Sequence, residues 1–198
     1  LALELSEQIR SKLHVGKVQI KKALRYALEK QLRFERELHR KGTEILENQS
    51  PDAPVVVVTG RPYNLYDDRL NLRLGQNLAK IGVTALPMDF IDVSSVDLSD
   101  FPSMYWGLGA QILRTAKYVT GYQNYFGLHL TNFGCGADSF IEHFYKHIMG
   151  QKPYLILELD EHSAVAGAMT RLEAYRNVLE NTMQKLNREL RSKVKLAN

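Results

Sequence analysis

The chain has 198 residues, of which 44% are hydrophobic and 24% are charged, with six prolines and a single cysteine. This composition is typical of one soluble globular domain of full size and excludes the fibrous and disordered classes. No apolar run approaches the roughly 18 residues that a membrane helix needs, and the first ten residues lack the pattern of a signal peptide. We therefore expect a cytoplasmic protein with no membrane span.

The basic charge of the chain lies almost entirely in its first quarter. Residues 1–50 hold 11 basic and 7 acidic side chains, whereas the other 148 residues hold 15 of each. The basic side chains alternate with acids on predicted helices, which is typical of a solvated or partner-contacting helix face. We therefore do not predict nucleic-acid binding. Because the chain begins with Leu1 rather than Met, we expect it to be a piece of a longer polypeptide.

The first 50 residues are predicted to form a helical arm. Residues 2–48 contain helix-forming residues with almost no strand signal, and the pattern is interrupted only near 14–16. Apolar residues recur at intervals close to 3.6 along the second part of this segment. QSPDAP, at 49–54, holds two prolines and is predicted to be a linker. The α/β domain is expected to occupy 51–198.

Strands and helices are predicted to alternate after the linker. VVVVTG, at 55–60, is a β-branched run closed by glycine, which is typical of a strand buried on both faces of a parallel sheet. The alternation predicts an α/β fold with a small, mostly parallel Rossmann-like or flavodoxin-like sheet flanked by helices. The predicted strands are 55–60, 83–87, 128–133 and 154–160, and the predicted helices are 68–82, 103–120, 138–150 and one from about 163.

Each predicted strand is followed by a turn that carries polar or glycine residues. Right-handed crossovers place all of these turns at one edge of a parallel sheet, and ligands bind at that edge in open α/β folds. The candidate site is therefore formed by GRPY, PMDF, NFGCGADS and ELDEHS.

The lone Cys135 lies between Gly134 and Gly136, where a strand is expected to give way to a helix. The glycines would permit a tight turn and a close approach of the backbone, and Asp138 or Ser139 could cap the helix. The positive end of a helix dipole favours a thiolate, the form that binds iron or zinc and attacks electrophiles. The alternative is that Cys135 is a small buried hydrophobic residue.

The same turn also permits a nucleotide-binding interpretation. Gly134, Gly136 and Ser139 fall at the positions of the GxGxxG fingerprint, and acids end the next strand about where a ribose-binding acid belongs. Two features argue against it. Ser139 replaces the third glycine, and Asp138 would place a negative charge where the pyrophosphate binds.

Arg61 follows the first predicted strand and therefore lies at the same edge. It could hold a phosphate or carboxylate, or it could pair with an acid of the chain such as Asp67, Asp68 or Asp89. No Gly-Lys-Ser/Thr follows it, so GRPYNLYDD is not a phosphate loop.

Several stretches resemble the carboxyl-terminal part of the large bacterial CoA-substrate-specific enzyme activases, which are related to the 2-hydroxyacyl-CoA dehydratase system. They are GRPYNLYDDRLNLRLGQNLAKIGVTALPMDF, TNFGCGADSFIEHFYKHIMGQKPYLILELDEHS and AGAMTRLEAY. The resemblance runs over most of residues 52–180.

The resemblance implies a role in iron–sulfur chemistry. In that system an ATP-hydrolysing activator drives an electron into a dehydratase whose clusters are held mainly by cysteines. Cys135 is similar to a thiolate that such a domain would contribute to a shared 4Fe-4S cluster, with Arg61 and Asn132 close to it. The partners implied are other domains of the same polypeptide and a dehydratase or activator subunit.

The chain departs from the family's full pattern in two respects. It has no recognisable ATP-binding activase domain and no second cysteine, whereas a cluster needs about four ligands. We therefore expect the piece alone to be inactive and free of the cluster. The alternatives left open are a Rossmann-like nucleotide- or CoA-binding module and a structural or interaction domain without chemistry of its own.

Overall fold

The structure, a computed structural model, describes residues 4, 8–9, 12, 15–132, 135–160 and 162–197, without the side chains of 190 and 193–197. Within these residues, four parallel strands form one sheet in the order β2-β1-β3-β4. The strands are β1 (Val55–Gly60), β2 (Thr84–Pro87), β3 (Tyr125–Asn132) and β4 (Tyr154–Leu159). The predicted α/β fold with a parallel sheet is confirmed.

From residue 15 onward, helices precede and connect the strands. They are α1 (Lys17–Glu47), α2 (Pro62–Tyr66), α3 (Leu74–Lys80), α4 (Gly107–Thr120), α5 (Gly136–Met149) and α6 (Val165–Ala197), and a 3-10 turn covers Met88–Phe90. Across the described part of the chain, no helix combines the length and the apolar character needed to cross a bilayer.

The core has one layer on each face of the sheet because side chains of a strand alternate between the two faces. Val56 and Val58 point to the layer that contains α3 and α6, with Leu78 and Leu179 among its buried side chains. Val57 points to the other layer, which contains α4, α5 and the 3-10 turn. Every residue of β1 is buried, as its continuous β-branched sequence predicts.

The helix α1 contacts the domain near its carboxyl end. Gly42 is buried, and a Cβ atom at this position would overlap the backbone carbonyl of Phe90. Ile45 and Leu46 pack against the core layer of α4 and α5. The arm is therefore docked next to the 3-10 turn that follows β2.

Three predicted boundaries are wrong. The helix predicted over 68–82 is only Leu74–Lys80, because Leu72 and Arg73 adopt left-handed backbone angles, with φ of 54° and 56°. Such angles interrupt a right-handed helix. The strand predicted from 128 begins at Tyr125, and the helix predicted from 103 begins at Gly107.

Candidate functional site at the carboxyl edge of the sheet

A topological switch point lies between β1 and β3. The chain leaves β1 for β2 on one side and leaves β3 for β4 on the other. Gly60, at the end of β1, is paired with Leu130 near the end of β3. Ligands of open parallel sheets bind in the crevice at such a point. Arg61 follows β1 and Cys135 follows β3, so both residues lie at this crevice.

Cys135 is the residue immediately before α5. Its backbone is extended, with φ of −72° and ψ of 112°, and its backbone N–H donates to the carbonyl of Asn132 at 3.2 Å. Its side chain is half-buried. The sequence prediction that the thiol lies at the start of a helix is confirmed, and part of the sulfur-bearing side chain remains accessible.

Arg61 lies against the cysteine sulfur. Its Nε donates to Asp138 Oδ1 at 3.0 Å, one terminal nitrogen donates to the hydroxyl of Tyr63 at 2.9 Å, and the other donates to Cys135 Sγ. Its guanidinium carbon is 5.8 Å from the ring centroid of Trp106. Partial burial disfavours the charged form, but the carboxylate and the hydrogen bonds outweigh it and raise the pKa of Arg61. The site therefore places a charged hydrogen-bond donor on the sulfur of Cys135.

Asp138 holds Arg61 in place. Its carboxylate is buried, and its second oxygen accepts a hydrogen bond from the hydroxyl of Thr131 at 3.0 Å. Of the two alternatives for Arg61, the structure shows pairing with an acid of the chain, but the acid is Asp138 rather than Asp67, Asp68 or Asp89. A buried carboxylate requires such partners because desolvation of an unpaired charge is costly.

The prediction that Asp138 or Ser139 caps the helix is wrong. No side chain caps α5, because the carboxylate of Asp138 is committed to Arg61 and Thr131. The hydroxyl of Ser139 donates to the carbonyl of Cys135 at 3.0 Å, one turn back along the chain. Ser139 therefore binds the carbonyl of the residue before the helix rather than a free backbone N–H.

The remaining residues predicted to bind a cofactor are Asn132, Gly134 and Gly136. Gly136 has an ordinary helical position, and a Cβ atom there would meet nothing within 4 Å. A larger side chain would therefore fit at position 136 in the described structure, because the space beside it is open. Asn132 lines a cavity of about 400 Å³ together with Arg69, Asp160 and other residues. Gly134 lies outside the described residues.

A buried polar group beneath the site was missed by the sequence reasoning. His129 is fully buried in β3, and its Nδ1 is 3.0 Å from the hydroxyl of Thr59 in β1. Burial lowers the pKa of His129 to about 4. Among the described residues, His129 Nε2 and the hydroxyl of Tyr145 have no hydrogen-bond partner. The signal for this group was a threonine and a histidine in otherwise apolar strands.

A second opening at the same edge involves the arm. A cavity of about 700 Å³ lies between α1 and the segments that follow β1 and β2, and α4 forms part of its wall. We refer to it as the arm cavity, lined among others by Phe34, Glu35, Tyr66, Asp89, Asp92 and Arg114. This cavity could not be predicted from the sequence because it exists only when α1 is docked.

One family model matches the chain, over residues 1–91, and it is described as CoA enzyme activase uncharacterised domain. Residues 1–91 belong to this family. The predicted resemblance to CoA enzyme activases is therefore confirmed for the arm, β1 and β2. No curated protein and no solved structure matches the chain.

The switch-point site is formed by two turns, and the family match covers only the one that follows β1. Arg61 lies within the matched residues, whereas Cys135 and Asp138 lie beyond them. The range also crosses the boundary predicted at residue 50. The family match is therefore independent of the cysteine, and the role of the cysteine depends on the geometry of its surroundings.

The switch-point site offers few of the side chains that bind metals. Within the residues that the structure describes, no three His, Cys, Asp or Glu side chains are grouped so that they could hold a metal ion by themselves. Cys135 fits as a single ligand, since its side chain is partly accessible and Arg61 donates to its sulfur. A cluster at this site would need its other ligands from residues outside this group.

Proposed function

We propose that this CoA enzyme activase domain contributes Cys135 as one thiolate ligand to a 4Fe-4S cluster shared with other domains or subunits. The proposal extends to a relationship with 2-hydroxyacyl-CoA dehydratases, in which a dehydratase or activator subunit would be the partner. When bound, such a cluster accepts and donates single electrons. The proposal also assigns the protein to the cytoplasm, where cysteines remain reduced.

The contact between Arg61 and the sulfur of Cys135 is the main observation behind this proposal. Cluster ligands are thiolates, and N–H donors to the sulfurs are among the features that tune a cluster's potential. Arg61 can fill this role because the buried Asp138 keeps it charged and orients it. A small buried hydrophobic cysteine would have no need for a hydrogen-bonded cation.

The position of the thiol also supports the proposal over nucleotide binding. Each of the three side-chain nitrogens of Arg61 already has a partner, in Asp138, Tyr63 and Cys135. A phosphate would have to compete with these contacts, whereas a metal ion at the sulfur would leave the pairing of Arg61 with Asp138 intact.

The test uses the complete natural polypeptide that contains this chain, purified without oxygen and reconstituted with iron and sulfide. We expect the Cys135→Ser variant to lose iron, acid-labile sulfide and visible absorption relative to wild type. Ser139→Ala is the matched control, because it changes the same helix turn and leaves the thiol in place. Equal iron content and absorption in wild type and Cys135→Ser would refute the ligand role.

A further inference from the structure

We propose that the arm cavity binds a small organic cation, an ammonium or similar group carried on an apolar body. The residues that line it do not include Cys135, Arg61 or Asp138, so the site is distinct from the proposed cluster site. The two proposals can therefore succeed or fail separately.

The size and position of the arm cavity suit a small molecule. Its volume of about 700 Å³ falls in the range of roughly 300 to 1,000 Å³ that is usual for ligand pockets. It lies where β1 and β2 end, the edge at which open parallel sheets bind ligands. The docked α1 closes one side, since Gly42 brings the helix against Phe90.

The walls of the arm cavity are largely apolar. Its apolar lining residues include Phe34 and Leu38 of α1 together with Phe90, Ile91 and Val93. Phe34 is exposed although it is a large apolar side chain, and a ligand with an apolar body would remove part of it from water. Aromatic faces such as those of Phe34 and Tyr66 also attract cations.

Fixed negative charge dominates the polar part of the lining. Glu35, Asp89 and Asp92 are opposed by one guanidinium, that of Arg114, whose Nε donates to the backbone carbonyl of Val96 at 3.1 Å. His39 also lies in the lining and adds at most one positive charge. A carboxylate or phosphate ligand would therefore be repelled, whereas a cation would be attracted.

Hydrogen bonds hold the three carboxylates in position. Asp89 accepts a hydrogen bond from the Tyr66 hydroxyl at 2.6 Å and from Gln111 Nε2 at 2.8 Å. Burial and Asp89 raise the pKa of Tyr66, so the hydroxyl stays a donor. Hydrogen bonds from Ser94 lower the pKa of Asp92. Glu35 accepts from Gln31 Nε2 at 2.9 Å, so the charges are positioned before any ligand arrives.

The test compares 4-phenylbutylammonium with 4-phenylbutanoate, which have similar bodies and opposite charges, by isothermal titration calorimetry on the full chain at low salt. We expect saturable binding of the ammonium and at least roughly tenfold weaker binding of the carboxylate. Glu35→Gln and Asp89→Asn should each weaken ammonium binding by about fivefold, since one charge pair of this kind is worth about 1 kcal/mol.

Glu29→Gln is the matched control, because Glu29 is an exposed acid of the same helix and does not line the cavity. It should leave the affinity unchanged. Tyr66 and Gln111 donate to different oxygens of Asp89, so Asp89→Asn keeps only one of these two hydrogen bonds. Glu35→Gln changes a partly exposed position on α1, so a folding defect in Asp89→Asn would leave Glu35→Gln informative. No saturable ammonium binding, equal binding of both probes, or unchanged affinity in both cavity variants would overturn the proposal.

Discussion

Loss of the negative charge of Asp138 should strongly destabilise the domain, because Arg61 would be left without its counter-charge, and Asp138→Asn tests this. The carboxylate is 2% exposed and the Arg61 side chain 20% exposed. Asparagine keeps the size and can still contact Thr131, but it leaves a mostly buried guanidinium without its counter-charge. Breaking a buried pair at one partner costs roughly 3 to 5 kcal/mol. Because Arg61 retains some contact with water, we expect a loss of about 2 to 4 kcal/mol in the free energy of unfolding.

Urea denaturation of wild type and Asp138→Asn at neutral pH measures this loss. The matched control is Glu180→Gln, which removes the acid of an exposed ion pair with Arg176 and should cost less than about 0.5 kcal/mol. A loss of about 3 kcal/mol should also lower the melting temperature by roughly 5 to 15 °C for a domain of this size. Equal small losses in the two variants would show that Arg61 does not depend on Asp138.

Two further predictions concern packing and pH. Gly42→Ala should push α1 away from the Phe90 carbonyl, so limited proteolysis should cleave the arm faster than in wild type. Gly75→Ala is the control and should leave the cleavage rate unchanged, because the added Cβ atom meets nothing within 4 Å. Similar cleavage rates in both variants would contradict the close packing of the arm. For His129, burial lowers the pKa from 6.5 to about 4, so the unfolded chain binds the extra proton first as the pH falls. The contribution of neutral His129 to the free energy of unfolding should therefore be complete above pH 6.5 and fall by about 2 kcal/mol by pH 5. Denaturation curves of His129→Gln should lack this loss. The same dependence of the free energy of unfolding on pH in both proteins would exclude His129 as its source.

The sheet could be predicted because its signal is local. VVVVTG is apolar on both faces, as a central parallel strand requires, and the alternation of strands and helices determines which turns share an edge. The position of Cys135 at the start of a helix followed from the same pattern. The short α2 was missed, although Pro62 at its first position is a residue that helices favour there.

The contacts of the site could not be predicted because they join distant parts of the chain. Arg61 and Asp138 are 77 positions apart, and acids closer in sequence, such as Asp67 and Asp68, were the obvious partners. The arm cavity likewise depends on the close approach of Gly42 to Phe90, which neither segment reveals alone. The interruption at Leu72 and Arg73 was missed because both residues are good helix formers in isolation.

Because Arg61 lies beside the ring of Trp106, events at the switch-point site can be followed by tryptophan fluorescence. Trp106 is the only tryptophan of the chain, and the guanidinium beside its ring also contacts the sulfur of Cys135. The fluorescent ring of Trp106 is therefore separated from the thiol of Cys135 only by the side chain of Arg61. A spectroscopist can follow events at the sulfur, whether oxidation, alkylation or metal capture, in solution and without an added label.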